Sequence, residues 1–261
     1  MRAEDARKPD SVLHDVTAAE TLEQLDHEPP KKPINRAFYW SSLLRARLLD
    51  AWTAEFLQAH PNATVLHLGC GLDSHALRLA PFWSGAGGGA NAIRRIDVDL
   101  LEVVALRKQV VPAPEQGDYS LVESSVTDDA WLDEVPPDRP TLVVIEGLMP
   151  YLRPEDGKRL VRRVVERFPS GQIMFNIPGR WFRRLQRFNR PISTTGAVFY
   201  NSMDDPKDLT AVHPSLRVET VLRIRETPGR ELMPWHLRAW LWLLSWTPGL
   251  RTAASYYRFD L

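Results

Sequence analysis

The sequence predicts an α/β fold built on a doubly wound, mostly parallel sheet of seven strands, and three observations predict it. Between residues 64 and 177, short apolar or β-branched runs alternate with helix-period segments five times, the pattern of a parallel sheet covered by helices on both faces. The run Thr64 to Leu68 enters two glycines one residue apart, Gly69 and Gly71, as a buried strand does when it turns sharply into a helix. Acids close the second strand (Asp97, Asp99) and the fourth (Glu146), where an open sheet has its ligand crevice. Taken alone, the glycine turn fits a nucleotide site and a ligand-free βα connection equally.

At 261 residues the chain is long enough for one large α/β domain. Lys plus Arg and Asp plus Glu both number 33, so no net field draws nucleic acid or an anionic membrane, and neither is expected as a partner. The single cysteine, Cys70, rules out an internal disulfide framework and a cysteine-based zinc site. No metal is expected, and with no signal-like apolar segment at the start the expected location is cytoplasmic. The most apolar run, Ala239 to Trp246, is too short to span a bilayer and reads as a core or lid helix.

Residues 1–34 are polar and proline-bearing, with a short helical possibility over Ala18 to Leu25, and are expected to be mobile or to pack as a lid. A helix over 35–60 follows from Phe38, Leu43, Leu44, Leu48, Trp52, Phe56 and Leu57, and His60-Pro61-Asn62 stops it. The core, 64–177, opens with the strand Thr64 to Leu68, the glycine turn and a helix ending near Pro81. The segment Ser84 to Asn91 reads as a low-complexity loop, Ile93 to Asp99 as the second strand, and Leu101 to Val110 as a helix. Tyr119 to Glu123 is the third strand. Thr141 to Ile145, the most continuous β-branched run, is the central one. Pro154 opens a helix, and Gln172 to Ile177 is the fifth strand. Over 178–261 the character changes: an arginine-rich helix (Arg180, Arg183, Arg184, Arg187, Arg190), a strand at 216–224, an aromatic helix at 234–246 and a strand at 255–259. The two late strands would finish the sheet with an antiparallel edge.

With these pieces in place the chain resembles the leucine carboxyl methyltransferase family, in its bacterial and fungal branch of polyketide O-methyltransferases. The residues that carry the resemblance are Leu68-Gly69-Cys70-Gly71-Leu72-Asp73-Ser74, Asp97-Val98-Asp99-Leu100, Val126-Thr127-Asp128 with Trp131-Leu132, and Glu146-Gly147-Leu148-Met149-Pro150-Tyr151-Leu152. The resemblance implies a Rossmann-like class I fold that uses S-adenosylmethionine. It places Arg45 on the methionine carboxylate, Gly69, Gly71 and Asp73 in the cofactor turn, and Asp99 on the ribose. Ser125 and Val126 would edge the adenine, and Glu146 would lie by the methionine amino group. A guanidinium suits a carboxylate, and a carboxylate suits a diol or an ammonium. Three positions depart from the family pattern: Ser125 stands where an Asp is usual, His75 where Arg is frequent, and Pro150 stiffens the loop before Tyr151.

The implied reaction is O-methylation of a small metabolite, a polyketide-like phenol, alcohol or carboxylate. Two alternatives stay open: a non-methylating reaction such as a cyclisation, and carboxyl methylation of a protein C-terminus. The catalytic candidates are Tyr151, His213 and His236, since a phenol or alcohol gains from a nearby base while a carboxylate needs none. The oligomeric state is left open.

Overall fold

The computed structural model describes residues 1–25, 35–83, 93–115, 117–186, 197–247 and 249–261. Its strands are β1 (Thr64–Leu68), β2 (Arg94–Asp99), β3 (Asp118–Glu123), β4 (Thr141–Ile145), β5 (Gly171–Ile177), β6 (Arg217–Arg223) and β7 (Ser255–Asp260). They form one sheet in the order β3-β2-β1-β4-β5-β7-β6. All neighbours run parallel except β7, which is antiparallel to both β5 and β6. The helices are α1 (Arg2–Ala6), α2 (Val16–Gln24), α3 (Arg36–Ala59), α4 (His75–Arg78), α5 (Ala80–Trp83) and α6 (Leu101–Val110). They continue with α7 (Ala130–Asp133), α8 (Pro154–Arg167), α9 (Arg180–Arg184), α10 (Lys207–Thr210) and α11 (Trp235–Ser245). None of the described helices is long and apolar enough to cross a membrane.

The two central strands, β1 and β4, are buried at every position because helices cover both faces of the sheet there. Alternation along the strands divides the core. Val65, Leu142, Val144 and Met174 pack under Leu48, Leu49, Trp52 and Phe56 of α3. Leu66, Val143, Ile145 and Phe175 face Leu160, Val161 and Val164 of α8. The Asn35 side chain accepts from the Ala37 and Phe38 amides and so caps α3. Pro154 opens α8, with Glu155 and Asp156 in the first turn where the helix dipole favours them.

The structure sharpens three sequence expectations. Residues 1–25 are not loose: Asp5 is buried and accepts from Ser11 Oγ and the Val12 and Leu13 amides. Asp15 caps α2 and pairs with Arg78 at 2.8 Å, tying this segment to the core. The single helix expected after the glycine turn is two short ones, with Pro81 in the first turn of α5, where its missing N–H costs nothing. The edge strand is β6, with β7 inserted between it and β5. Tyr256, Tyr257 and Phe259 of β7 are all buried and need a partner on each side, whereas β6 is half-exposed along its length. The expected loop 84–91, Arg187 and Arg190 lie outside the described residues.

Candidate active site

The carboxyl ends of β1, β2 and β4 meet over the glycine turn. Gly69 sits at φ +67° and Gly71 at φ +53°, the left-handed region that favours glycine. A Cβ on Gly69 would come within 2.9 Å of Leu148, whereas one on Gly71 would point into open space. The turn is pinned to β2 by the Gly69 amide, which donates to the Val98 carbonyl at 2.8 Å. Asp99 Oδ2 accepts the Gly71 amide at 2.6 Å and Oδ1 accepts the Leu100 amide. A carboxylate has about four acceptor sites, so Asp99, half-exposed on the rim, keeps capacity for a diol.

The two acids of β2 do different work. Asp97 is fully buried and belongs to a network beneath the turn. Arg95 Nε donates to Asp97 Oδ1 at 2.8 Å and Arg107 Nη2 donates to Oδ2 at 3.1 Å. Arg95 also donates to Nδ1 of His75 and Nδ1 of His67. Both imidazoles therefore offer a lone pair at Nδ1. They are neutral: burial, reinforced by the Arg95 charge, pushes His67 down to about 4 and His75 well below the ordinary range. His75, the departure from the family's arginine, points into this network and not into the crevice. Cys70 is buried beside it, with its thiol pushed up to about 12 by burial and the Asp97 charge, so it is no nucleophile.

Above the turn lies a second cluster. Arg45 Nε donates to Glu146 Oε1 at 2.9 Å, and Arg2 Nη2 reaches the same oxygen at 2.5 Å while Nη1 pairs with Asp73. Asp73 also accepts from Arg78 and from the His75 amide, each at 2.9 Å. Burial would raise both carboxyls; Arg2 with Arg78 outweighs it for Asp73, and Arg2 with Arg45 for Glu146, so both stay ionised. The second oxygen of Glu146, Oε2, is buried without a hydrogen-bond partner. An ionised carboxylate with a free buried oxygen between two guanidiniums matches an amino-acid head group, ammonium on the acid and carboxylate on the arginines. The open space at Gly71 leaves the backbone accessible beside it. The residues present thus fit S-adenosylmethionine.

The remaining candidates are placed unequally. Ser125 lies next to the rim acid, since the Ser124 amide donates to the Asp99 carbonyl; its hydroxyl pairs with Thr127 Oγ1 at 2.7 Å. Val126 turns its side chain into the core, so only its backbone is available to an adenine. Tyr151 is 44% exposed on the crevice wall, edge-on to Phe199, and close enough to Arg45 to feel its charge. His213 is not brought there. It precedes the amino end of β6, which runs parallel to β5, so it occupies the sheet edge opposite Glu146 and pairs with Ser215. His236 rides on α11, exposed and edge-on to Trp235.

Two residues escaped the sequence reading. Arg2 sits in a segment whose composition reads as polar and loose; the signal for it was two buried acids, Asp73 and Glu146, set against Arg45 as the sole cation assigned to them. Tyr256 of β7 is opposite Asn176, buried beneath Arg45 and near Glu146; burial pushes its phenol up to about 12 against the Arg45 charge. Nothing in its spacing marked it. Among the described residues no group of His, Cys, Asp and Glu is arranged to hold a metal ion.

The sequence model of the leucine carboxyl methyltransferase family matches residues 4–165. The tetracenomycin polyketide synthesis O-methyltransferase TcmP of Streptomyces glaucescens is 38% identical over 227 residues, which is 87% of this chain and 80% of that protein. The S-adenosyl-L-methionine-dependent methyltransferase dpfgK of Gibberella zeae is 38% identical over 234 residues, 83% of this chain and 76% of its own. Among solved structures, magnesium protoporphyrin IX methyltransferase from Synechocystis with bound S-adenosylhomocysteine superposes with a TM-score of 0.53 at 9% identity, covering 94% of each chain, and so shares the fold.

Proposed function

This chain belongs to the leucine carboxyl methyltransferase family and is an S-adenosylmethionine-dependent methyltransferase, and from that premise we propose that it methylates an oxygen of a small molecule, a polyketide-like phenol, alcohol or carboxylate. The observation that carries the reading is the free, buried Oε2 of Glu146 between Arg2 and Arg45 at the carboxyl end of the central strand. The likeness to TcmP, named for polyketide synthesis and O-methylation, supplies the acceptor class.

When bound, S-adenosylmethionine supplies a methyl group on a positively charged sulfur. The protein's part is to hold, align and keep dry. Arg2 and Arg45 take the carboxylate of the amino-acid head group, Glu146 Oε2 takes its ammonium, and Asp99 takes the ribose hydroxyls. Gly69 and Gly71 let the backbone lie against the cofactor, and Ser125 and the Val126 backbone edge the base. Asp73 acts at one remove by holding Arg2. Tyr151 stands where the acceptor enters. Burial raises its phenol more than Arg45 lowers it, so at neutral pH it is a hydrogen-bond donor to the acceptor oxygen and not a base. Of these acceptors a carboxylate, which arrives already ionised, fits best, and a phenol or alcohol must lose its proton by another route. In this reading the whole chain is one methyltransferase unit, with 64–177 holding the cofactor and 178–261 completing the sheet and capping the acceptor.

Calorimetric titration with S-adenosylmethionine tests the site. Wild type is expected to bind, and Asp99→Ala and Gly71→Val each to weaken binding at least about tenfold, the second because valine is strained at φ +53°. Failure of wild type to bind, or indifference to both substitutions, overturns the assignment. Incubation with phenols and aryl carboxylates should then yield S-adenosylhomocysteine together with a methylated product. Product without S-adenosylhomocysteine, or a base-labile ester formed on a protein terminus alone, overturns the acceptor class.

A further inference from the structure

The connection between β6 and β7 borders a half-open cavity of about 570 Å³ that no step of the reading above uses. One wall is α11. Trp235, Arg238, Ala239 and Trp242 fall at i, i+3, i+4 and i+7, one face of the helix, and all four line the cavity. The floor is apolar, with Ile224 and the buried Met233. The rim is cationic, with Arg225 and Arg230 set against a single acid, Glu226.

Those charges are not equally spent. Glu226 is already taken, paired with Arg225 at 3.3 Å and accepting the Arg223 amide at 3.0 Å. Arg230 donates to the Arg225 carbonyl. The Arg238 side chain has no ion pair or hydrogen bond among the described residues. The indoles beside it are uncovered, Trp235 at 73% and Trp242 at 56% exposure. A volume of this size suits a ligand of drug-like dimensions, indole faces suit a flat ring, and an unpaired guanidinium suits a carboxylate.

We propose that this cavity binds a planar aromatic anion, its ring against Trp235 and Trp242 and its carboxylate on Arg238. A lipid surface fits less well. An interfacial helix carries its cations in a row along a polar face, whereas α11 has one arginine, and that arginine faces a concavity shared with two more. The cavity is also tied to the crevice. Gly229, which precedes the lining residue Arg230 and sits at φ +88°, is held so close to α3, the helix that carries Arg45, that a Cβ there would lie 3.2 Å from Leu44 and from Arg47. The end of β6 stands three strand spacings, about 14 Å, from the end of β4. Resting on the methyltransferase reading for this link, the occupant is the distal part of an extended acceptor whose reacting oxygen reaches toward Tyr151.

The test is tryptophan-fluorescence titration of the full chain with 9-anthracenecarboxylate and its neutral counterpart 9-anthracenemethanol, alongside calorimetry with S-adenosylmethionine. Wild type is expected to prefer the carboxylate. Arg238→Gln should raise the Kd for the carboxylate about tenfold and leave the alcohol unchanged, and Trp242→Ala should weaken both. Cofactor binding should be the same in all three proteins, which also shows that the variants are folded. Equal carboxylate affinity in wild type and Arg238→Gln overturns the proposal, as does a response to phosphatidylglycerol vesicles with none to the free acid. Failure of wild type to bind S-adenosylmethionine, with the carboxylate preference intact, overturns the methyltransferase site and leaves the cavity's ligand class standing.

Discussion

Two clusters of arginines and acids grip the same glycine turn from opposite sides, and they differ in what they leave unpaired. Beneath the turn, both oxygens of Asp97 are occupied by Arg95, Arg107 and the Tyr119 hydroxyl, and the remaining Arg95 donors go to His67 and His75. Above the turn, Glu146 receives two guanidiniums on one oxygen and nothing on the other. The lower cluster is a closed account of donors and acceptors, and a closed account holds a fold. The upper cluster is open by one oxygen, and a buried oxygen of that kind is costly unless something comes to meet it. Charge density alone does not separate a scaffold from a site; residual valence does.

The sharpest way to break this contrast is to neutralise one acid in each cluster. Asp97→Asn leaves two buried guanidiniums without a counter-charge and is expected to cost about 3–5 kcal/mol of stability. It should be read as a lower urea midpoint at an unchanged m-value. Glu146→Gln leaves Arg2 and Arg45, which reach solvent, and should change the midpoint little. Its cost should appear in cofactor binding instead, at about 1.5–3 kcal/mol, or roughly ten- to a hundredfold in the Kd for S-adenosylmethionine. If the two variants exchange these phenotypes, the distinction between scaffold and site is wrong.

The open cluster was more legible in the sequence than the closed one. Gly69, Gly71, Asp99 and Glu146 stand at strand ends, where strand-to-helix periodicity and the topology of open sheets locate them without knowledge of contacts. Asp97 and Asp99 alternate to the same side of β2, and sequence could not say which reaches the rim; the register does, because Asp97 pairs beside His67 while Asp99 lies past the end of β1. Arg2 was illegible because its partners are 71 and 144 residues away, a separation that no local pattern encodes. Residue type and periodicity likewise placed β6 and β7 as strands, but which of them is outermost depends on how much of β7 is buried. His213 is a candidate by residue type alone, and strand direction carries it to the wrong end of the sheet.

Acid should expose the same contrast by titration. His67 and His75 are held neutral in the fold and take up protons near 6.5 when unfolded, so the unfolded chain binds more protons below that value. Stability therefore rises with pH across the window from about 4, the folded His67 value, to 6.5, and falls as pH drops through it. Asp73 and Glu146 are depressed in the fold, so their contribution is lost only at lower pH, below the unfolded carboxyl range. Urea midpoints at pH 7, 6 and 5 should fall in wild type and fall less in His67→Asn. An equal slope in the two proteins would show that the histidines of the closed cluster are not what titrates.

The smallest effect is expected where the clusters touch. Arg107 is the one member of the lower network that also reaches the turn's backbone: Nη1 donates to the Gly71 carbonyl at 2.9 Å and to the Asp73 carbonyl at 2.7 Å while Nη2 holds Asp97. A lysine keeps the charge beside Asp97 and loses the planar fork that spans both carbonyls. Arg107→Lys should thus lower stability by only about 1 kcal/mol, the worth of an ordinary hydrogen bond. Because the carbonyls it releases belong to the residues that shape the cofactor turn, the same change should weaken S-adenosylmethionine binding a few-fold. Arg95→Lys, which touches no turn carbonyl, should lower stability and leave the affinity of the folded protein unchanged. Calorimetry on the two variants separates the cases: matching cofactor affinities would mean that the lower cluster supports the turn only by keeping the protein folded.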